Sequence, residues 1–255
     1  MRVLTFNVNS IRARKEIVRD LFYYKSIDVA CLQEIKTTEE EFPQIHPEYH
    51  CYIHGQKQYN GVATCVRSRI EVGQVQKGFP GEMGESRFIY TQIGKWHLIN
   101  IYAPLGDKYG ERFHYKIKFY RQLREFVSQN FNLHKDLVVL CGDLNIAHQA
   151  IDVWDPQKWE GKVVFLPEER IEFDKLLGLG FVDILRYSTN RQIFTFYDYR
   201  GGAVYKGEGL RLDYFLVSKP VVKLTKGIEV LLNVRKRKKP TPSDHVPLIV
   251  EFRNV

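Results

Sequence analysis

The stretch DLVVLCGDLNIAH, residues 136–148, decides the fold. Residues 137–141 are apolar, mostly β-branched or leucine, and too few for a helix, so they read as a buried central strand. Gly142 then permits a close approach or an unusual backbone angle. Directly after it, the period of two sets Asp143 and Asn145 on the same side of the chain. A rigid strand thus delivers a carboxylate and an amide to a sheet edge. Alone, these residues fit an ordinary Asx turn as well as a catalytic end.

The 255 residues, 44% of them hydrophobic, can bury a large core. No Pro/Gly/Ser-rich linker or repeat interrupts them, which predicts one α/β domain over residues 1–255. With 38 Lys plus Arg against 30 Asp plus Glu, the net charge of +8 favours a polyanionic partner, although many soluble enzymes share it. Cys31, Cys51, Cys65 and Cys141 have no CxxC spacing, and three lie in apolar strand-like runs; reduced thiols, without disulfides or zinc, are expected. No apolar run approaches the roughly 20 residues that cross a bilayer. The first ten residues lack the layout of a signal peptide. A cytoplasmic protein that does not engage membranes is therefore expected.

Upstream of the opening stretch, residues 3–6 form a short strand ending at Asn7, and a basic helix over about 12–25 follows, with Ser10 as its candidate cap. A second buried strand, residues 28–32, ends at Gln33 and Glu34. Glu34 suits the first turn of a following helix as well as a functional edge. From Tyr49 the runs YHCYIHG, GVATCVR, IEVGQV, RFIYTQI and WHLINIYAP alternate and turn often, which predicts an antiparallel meander. Tyr102 closes its last strand just before Pro104. A helix spans about 111–130.

Downstream, residues 154–162 read as a polar loop, and Pro167 opens a helix closed by Gly178 or Gly180. Residues 193–197 and 210–217 read as strands, the second carrying Asp213. A charged aspartate within an apolar strand needs a hydrogen-bonding partner. His245, in the run Ser243-Asp244-His245, is the sole histidine downstream. Asp213 and His245 can form a carboxylate–imidazole dyad, the carboxylate holding the tautomer. No serine or cysteine nucleophile stands out, which points to water as the attacking group and a metal as its helper.

Taken together, Asn7, Gln33-Glu34, Tyr102, Gly142-Asp143-Leu144-Asn145, Leu212-Asp213 and Ser243-Asp244-His245 resemble, in this order, the exonuclease III family of abasic-site endonucleases. NVNSIRAR, CLQEIK, HGQK, YNGVA, FLPEER, FYDYR and GLRLDYFLVS are similar to its bacterial and archaeal branch. They separate the chain from deoxyribonuclease I, sphingomyelinases, inositol polyphosphate 5-phosphatases and deadenylases on the same scaffold.

The resemblance implies a four-layer α/β sandwich, two mixed sheets packed face to face with helices outside. It implies a DNA repair nuclease that hydrolyses the phosphodiester 5′ to an abasic site in double-stranded DNA, leaving a 3′-hydroxyl, with 3′-to-5′ exonuclease and 3′-end-cleaning activity besides. Mg²⁺, or Mn²⁺ in its place, is the implied cofactor, and a prokaryotic, DNA-associated monomer the implied form. Glu34 is the implied main metal ligand, with Asn7 close to it and Asp143, Asn145, Asp244 and His245 around them. Asp143 orients or deprotonates the attacking water, Asn145 positions Asp143 and phosphate, Asp213 fixes His245 against a phosphate oxygen, and Tyr102 touches the phosphate or leaving group. A competing assignment makes the His245–Asp213 dyad the base. Phe196 and Leu210 match positions that line the pocket for the extruded sugar, although by themselves they read as strand-edge core residues, and Arg87 is a candidate backbone contact or a solvated strand residue.

Three positions depart from the family pattern. Leu105 stands where relatives commonly carry a phosphate-binding amide, Asn9 where others have an aspartate near the metal, and Phe196 where some have a larger indole. The run RKRKK, residues 235–239, places five positive charges near the expected site and is expected to grip DNA phosphates. His148 is expected to be a bystander. A lipid or inositol phosphoesterase would keep the carboxylates but lack FYDYR and GLRLDYF, and a non-catalytic nucleic-acid-binding module gives no reason for the carboxylates.

Overall fold

Strands whose every residue is buried need cover on both faces, and the computed structural model, which describes residues 1–80 and 84–253, supplies it. In chain order the first strands are β1 (Arg2–Asn7), β2 (Val29–Gln33), β3 (Tyr49–His54), β4 (Val62–Arg67), β5 (Val75–Lys77) and β6 (Phe88–Ile93). There follow β7 (Trp96–Tyr102), β8 (Leu137–Asp143), β9 (Val182–Asp183), β10 (Asp213–Val217), β11 (Thr225–Val230) and β12 (Leu248–Phe252). They make two six-stranded sheets, ordered β11-β12-β1-β2-β4-β3 and β5-β6-β7-β8-β10-β9. Both are mixed: β1 runs parallel to β2 and β7 parallel to β8.

Helix α1 (Ile11–Tyr24) lays Ile17, Val18, Leu21 and Phe22 on Leu4, Phe6, Ala30 and Leu32, the outer face of the first sheet. Helix α2 (Glu111–Asn130), a single turn α3 (Pro156–Trp159) and α4 (Pro167–Gly178) follow in sequence, and α2 and α4 cover the second sheet. Their Phe119, Leu123, Phe173 and Leu176 pack with Ile99, Ile101, Leu140 and Leu216. Between the sheets lie Val3, Val29, Cys31, Val139, Cys141, Phe215 and Val217. The expected four layers are therefore present, each buried Leu, Val or Phe adding roughly 1.5–3 kcal/mol to their adhesion. A polar bridge crosses this layer: Gln33 Nε2 donates to Asn100 Oδ1 at 2.8 Å, and Asn100 Nδ2 donates to Ala63 O at 3.0 Å.

The mixed topology positions the site. Parallel β7 and β8 end, and antiparallel β10 begins, at one edge, so Tyr102, Asp143 and Asp213 are register partners across three strands. Gly142 makes this possible, since its φ is 138° and a Cβ there would lie 2.0 Å from Ile101 O.

Several expectations need correction. The runs from Tyr49 onward are not one meander: β3 and β4 belong to the first sheet, β5, β6 and β7 to the second. Alternation marks a strand's faces but not its neighbour, and IEVGQV yields only the start of β5. Residues 193–197 form no strand. Their amides serve two neighbours, Thr195 N and Phe196 N donating to Leu210 O and Tyr197 N to Asp244 O, which leaves isolated bridges. Likewise β10 starts at Asp213, not at Leu210. Ser10 does not cap α1: its φ is 86°, its side chain makes no cap bond, and its amide donates to Glu34 O. Cys51 and Cys65 are disulfide-bonded, because the β3–β4 register sets them directly opposite, Cα atoms 3.9 Å apart. Among the described residues no helix is long and apolar enough to cross a membrane.

Candidate active site

Asn7 and Glu34 arrive on adjacent strand ends whose pairing continues past the sheet, through Val8 N to Gln33 O, Ser10 N to Glu34 O and Ile11 N to Ile35 O. No helix follows Glu34; its φ of 49°, a conformation that costs about 1–3 kcal/mol in a residue with a side chain, is held by this lacing. Asn7 Nδ2 donates both to Glu34 Oε1 at 2.8 Å and to Asp143 Oδ2 at 2.9 Å, tying the two sheets' carboxylates together. Its oxygen accepts from Asn9 N at 3.0 Å, so the amide turns its nitrogen to the carboxylates.

The end of β8 folds back on itself. Asn145, at φ 48°, donates its amide N–H to Asp143 Oδ1 at 2.9 Å and its Nδ2 to Ala103 O at 2.8 Å. Across the sheet, His245 Nδ1 sits 2.8 Å from Asp213 Oδ2 and His245 Nε2 3.6 Å from Asp143 Oδ2. Among the described residues the buried Asp213 Oδ1 has no hydrogen-bond partner, so the imidazole is what neutralises this carboxylate. Burial alone would drive His245 neutral, but the carboxylates of Asp213 and then Asp143 outweigh it and lift the imidazole to about 10. Burial raises the Asp143 carboxyl to about 7; His245 opposes this, and Asp213 and Glu34 add to it. The Tyr102 phenol, bonded to Glu34, is pushed well above its ordinary range by burial and then by the Glu34 and Asp143 charges.

The ligand atoms of Glu34, Asp143 and His245 all lie within 4.8 Å of one another, a spacing that can hold a metal ion. Two of these donors are carboxylates, and the Glu34 side chain keeps 18% exposure toward the cleft. Such hard oxygen donors, few in number, fit a divalent cation that keeps much of its water. Asp244 stands aside, its Oδ1 accepting from Asn9 Nδ2 at 3.1 Å. At the departing position Asn9, Lys36 Nζ donates to the amide oxygen at 2.6 Å and pairs with Glu34 at 3.1 Å.

A cleft of about 700 Å³ opens over these groups. Glu34, Tyr102, Asp143, Asn145, Asp244 and His245 line it on the polar side, and Trp159, Val163, Val164, Phe196, Leu210 and Leu212 on the apolar side. Phe196 meets the His245 ring edge-on at 5.2 Å and bridges to Leu210. Leu105, 54% exposed, stands at the rim. Arg87 is not solvated: its side chain is 11% exposed, its Nε donates to Glu85 at 2.5 Å, and its guanidinium lies 4.7 Å over the Tyr102 ring. His148 pairs with Asp174 at 2.7 Å and stacks on Phe173, outside the cleft.

The run at residues 235–239 is not five free charges. Arg235 is buried and donates to Tyr197 O at 2.9 Å, and Arg237 pairs with Asp20 at 2.9 Å; Lys236, Lys238 and Lys239 are exposed. Thr195 was not foreseen: its Oγ1 accepts from Leu212 N at 2.9 Å and Asp213 N at 3.0 Å, fixing where the dyad starts. Ser243 Oγ similarly anchors the His245 segment on Asn7 O at 2.7 Å. A lone threonine in an apolar run carries no local signal of such a role.

Residues 4–245 match the model of the Endonuclease/Exonuclease/phosphatase family. Over 99% of its length the chain is 32% identical to the whole of exodeoxyribonuclease III from Haemophilus influenzae. An AP endonuclease structure from Archaeoglobus fulgidus superposes with a TM-score of 0.93 at 35% identity, covering 99% of both chains. A 3′ phosphatase from Neisseria, bound to product DNA hairpin, gives 0.93 at 34% over the full length of both.

Proposed function

Because the chain belongs to the endonuclease/exonuclease/phosphatase family and is a hydrolytic nuclease of DNA repair, we propose that it cuts the phosphodiester 5′ to an abasic site in duplex DNA. The observation that carries this is the two-sided cleft. A base-less sugar swung out of the helix fits against Phe196, Leu210 and Trp159, while its 5′ phosphate meets Glu34, Asp143 and His245. The same cleft takes a 3′-terminal residue, which extends the proposal to 3′-to-5′ exonuclease and 3′-end-cleaning activity. The protein would do this as a monomer in the cytoplasm, bound to DNA.

Glu34 and Asp143, with Asn7 beside them, would hold Mg²⁺ or Mn²⁺. When bound, the ion supplies charge that stabilises the phosphorane oxygens and acidifies water. Water attacks phosphorus, the P–O3′ bond to the upstream nucleotide breaks, and the leaving 3′ oxygen takes up a proton. Asp143 is the better base of the two candidates. His245, already bonded through Nδ1 to Asp213 and carrying a proton at neutral pH, has no lone pair to offer and instead donates to a phosphate oxygen. Asn145 holds Asp143 from behind, and Arg87 keeps the Tyr102 ring turned to the phosphate.

A duplex carrying one tetrahydrofuran abasic analogue, incubated with Mg²⁺ or with a chelator, tests the reading. Incision 5′ to the analogue with Mg²⁺ alone is expected, lost in Glu34→Ala and Asp143→Asn. No incision with Mg²⁺ overturns it. A 3′-recessed duplex and a 3′-phosphate duplex in the same assay check the end-directed activities.

A further inference from the structure

Lys116 lies in the second turn of α2 with its side chain fully buried. Its Nζ donates to Asn145 O at 2.7 Å, Leu105 O at 3.0 Å and Glu169 Oε1 at 2.6 Å. An ammonium has three protons, and each has an acceptor here. The three acceptors belong to the loop after β8, the loop after β7 and the first turn of α4. Glu169 extends the tie, its Oε2 accepting from Leu166 N at 3.1 Å, next to Val163 and Val164 of the apolar wall. Gly106, at φ 84°, leaves room for the strut, since a Cβ there would stand 3.1 Å from Lys116 Cδ.

Two tyrosines flank the same tie. Tyr120, one turn further along α2, donates to Leu144 O, and Tyr214 donates to Ile146 O at 2.7 Å. Three consecutive carbonyls, 144 to 146, are thus held by buried side chains, the middle one by the sole cation among the three. That middle residue is Asn145, whose left-handed backbone aims its N–H at Asp143.

We propose that Lys116 is a positioning residue for phosphodiester hydrolysis: with Glu169 it fixes the Asn145 carbonyl, and through the backbone of that residue Asp143, against both walls of the cleft. It touches neither water nor phosphate. Its contribution is the placement of the Asp143 carboxylate, where a displacement near 1 Å costs about a hundredfold in rate. The inference rests on the proposed hydrolysis, so wild-type incision of the tetrahydrofuran duplex is measured first; no incision there removes that reading and leaves the strut to be judged by hydrogen exchange.

Lys116→Met/Glu169→Leu removes the pair together, leaving no lone buried charge, so the fold is kept more readily than in either single variant. The expected result is a Tm lower by no more than about 10 °C, a KM within about twofold of wild type, and a kcat lower by about tenfold to a hundredfold. Amide exchange should speed up at residues 144–147 and not across the sheets. An unchanged kcat overturns the proposal, as does a loss shared equally by KM and Tm. If the double variant does not fold, Glu169→Gln is compared with wild type by exchange alone. Faster exchange confined to residues 144–147 supports the strut, and unaltered exchange there overturns it.

Discussion

Asp213 and His245, 32 residues apart in sequence, are joined by a buried Oδ2–Nδ1 contact of 2.8 Å, and the second carboxylate oxygen of Asp213 has no hydrogen-bond partner among the described residues. The aspartate is therefore committed to the imidazole as its counter-charge, not to a wider network. This makes the protonated ring the resting form and gives the pair a pH signature.

Asp213→Asn should lower kcat roughly 10²–10⁴-fold, with a smaller change in KM. In metal-free protein, nitrogen NMR should show His245 falling from about 10 toward its ordinary 6.5. The sign for stability follows. A histidine raised in the folded state stabilises fully below 6.5, and that contribution is lost as pH rises through about 10. Chemical denaturation of wild type in chelator should thus weaken between those limits, and the variant should lose much of this slope. An unshifted His245 titration in the variant would show that Asp213 does not hold the proton.

Glu34 is bonded to Asn7 and Lys36 yet remains open to the cleft. Glu34→Gln keeps its shape and removes the charge a divalent cation needs. Calorimetric titration should show Mn²⁺ affinity reduced at least about 10–100-fold, the scale seen for changes one shell further from a metal. Binding of duplex in chelator should stay within about threefold of wild type, since few of the phosphate contacts involve Glu34. Unaltered Mn²⁺ affinity would exclude Glu34 as a ligand.

Gly142→Ala tests the mount itself. The added Cβ would sit 2.0 Å from Ile101 O, and φ 138° is hostile to any side chain. Neither problem has a local remedy, because the atom met is backbone of the neighbouring strand. A loss of at least about 3 kcal/mol is expected, read by denaturant unfolding. A variant as stable as wild type would mean that β7 and β8 can separate there.

Much of this was legible in the chain. The strand core at residues 137–141 was readable because apolar, mostly β-branched or leucine residues bounded by Gly142 leave few alternatives, though β8 runs on to Asp143, and Asp213 stood out as a charge in an apolar run, though it begins β10. Which strand lies beside which was not readable, since β3 and β4 alternate as β6 and β7 do but join the other sheet. The same blindness hid the Cys51–Cys65 bond, which depends on register alone. Lys116 drew no notice within the helix expected over 111–130, and Thr195 looked like part of an apolar run. Their roles come from acceptors and donors distant in sequence, which no local pattern records.

A second buried charge cluster sets acid stability. Arg211 is fully enclosed and donates to Asp152 Oδ1 at 2.7 Å and Asp183 Oδ2 at 2.7 Å, with Arg186 also on Asp152 at 2.7 Å. Burial pushes the Asp152 carboxyl up, but the Arg211 and Arg186 guanidiniums outweigh it and hold the group below its ordinary 3.8. Its contribution is present above 3.8 and lost as pH falls through the lower folded value. Asp152→Asn should cost about 3–5 kcal/mol near neutral pH, and its stability should fall less steeply than that of wild type below pH 3.8. Parallel acid limbs in the two proteins would exclude Asp152 as the group responsible.

The basic run separates into two roles that one experiment can resolve. Arg235 lies under the Tyr199 ring, 5.1 Å from its centre, and holds the carbonyls of Tyr197 and Asp198 beside the cleft. Its removal should act on the fold: Arg235→Ala leaves the buried Tyr197 carbonyl without this donor, at about 1–3 kcal/mol, and should lower Tm with little change in the salt dependence of DNA binding. Lys236, Lys238 and Lys239 are exposed and are the residues able to reach phosphate. Each contact made should add about 0.9 to the slope of log K against log salt. Changing those three to Ser should therefore reduce the slope by at most about 2.7, at constant Tm, while Arg235→Ala leaves it in place. If the triple variant keeps the full slope, the run does not grip DNA, and its charges serve the loop that carries His245.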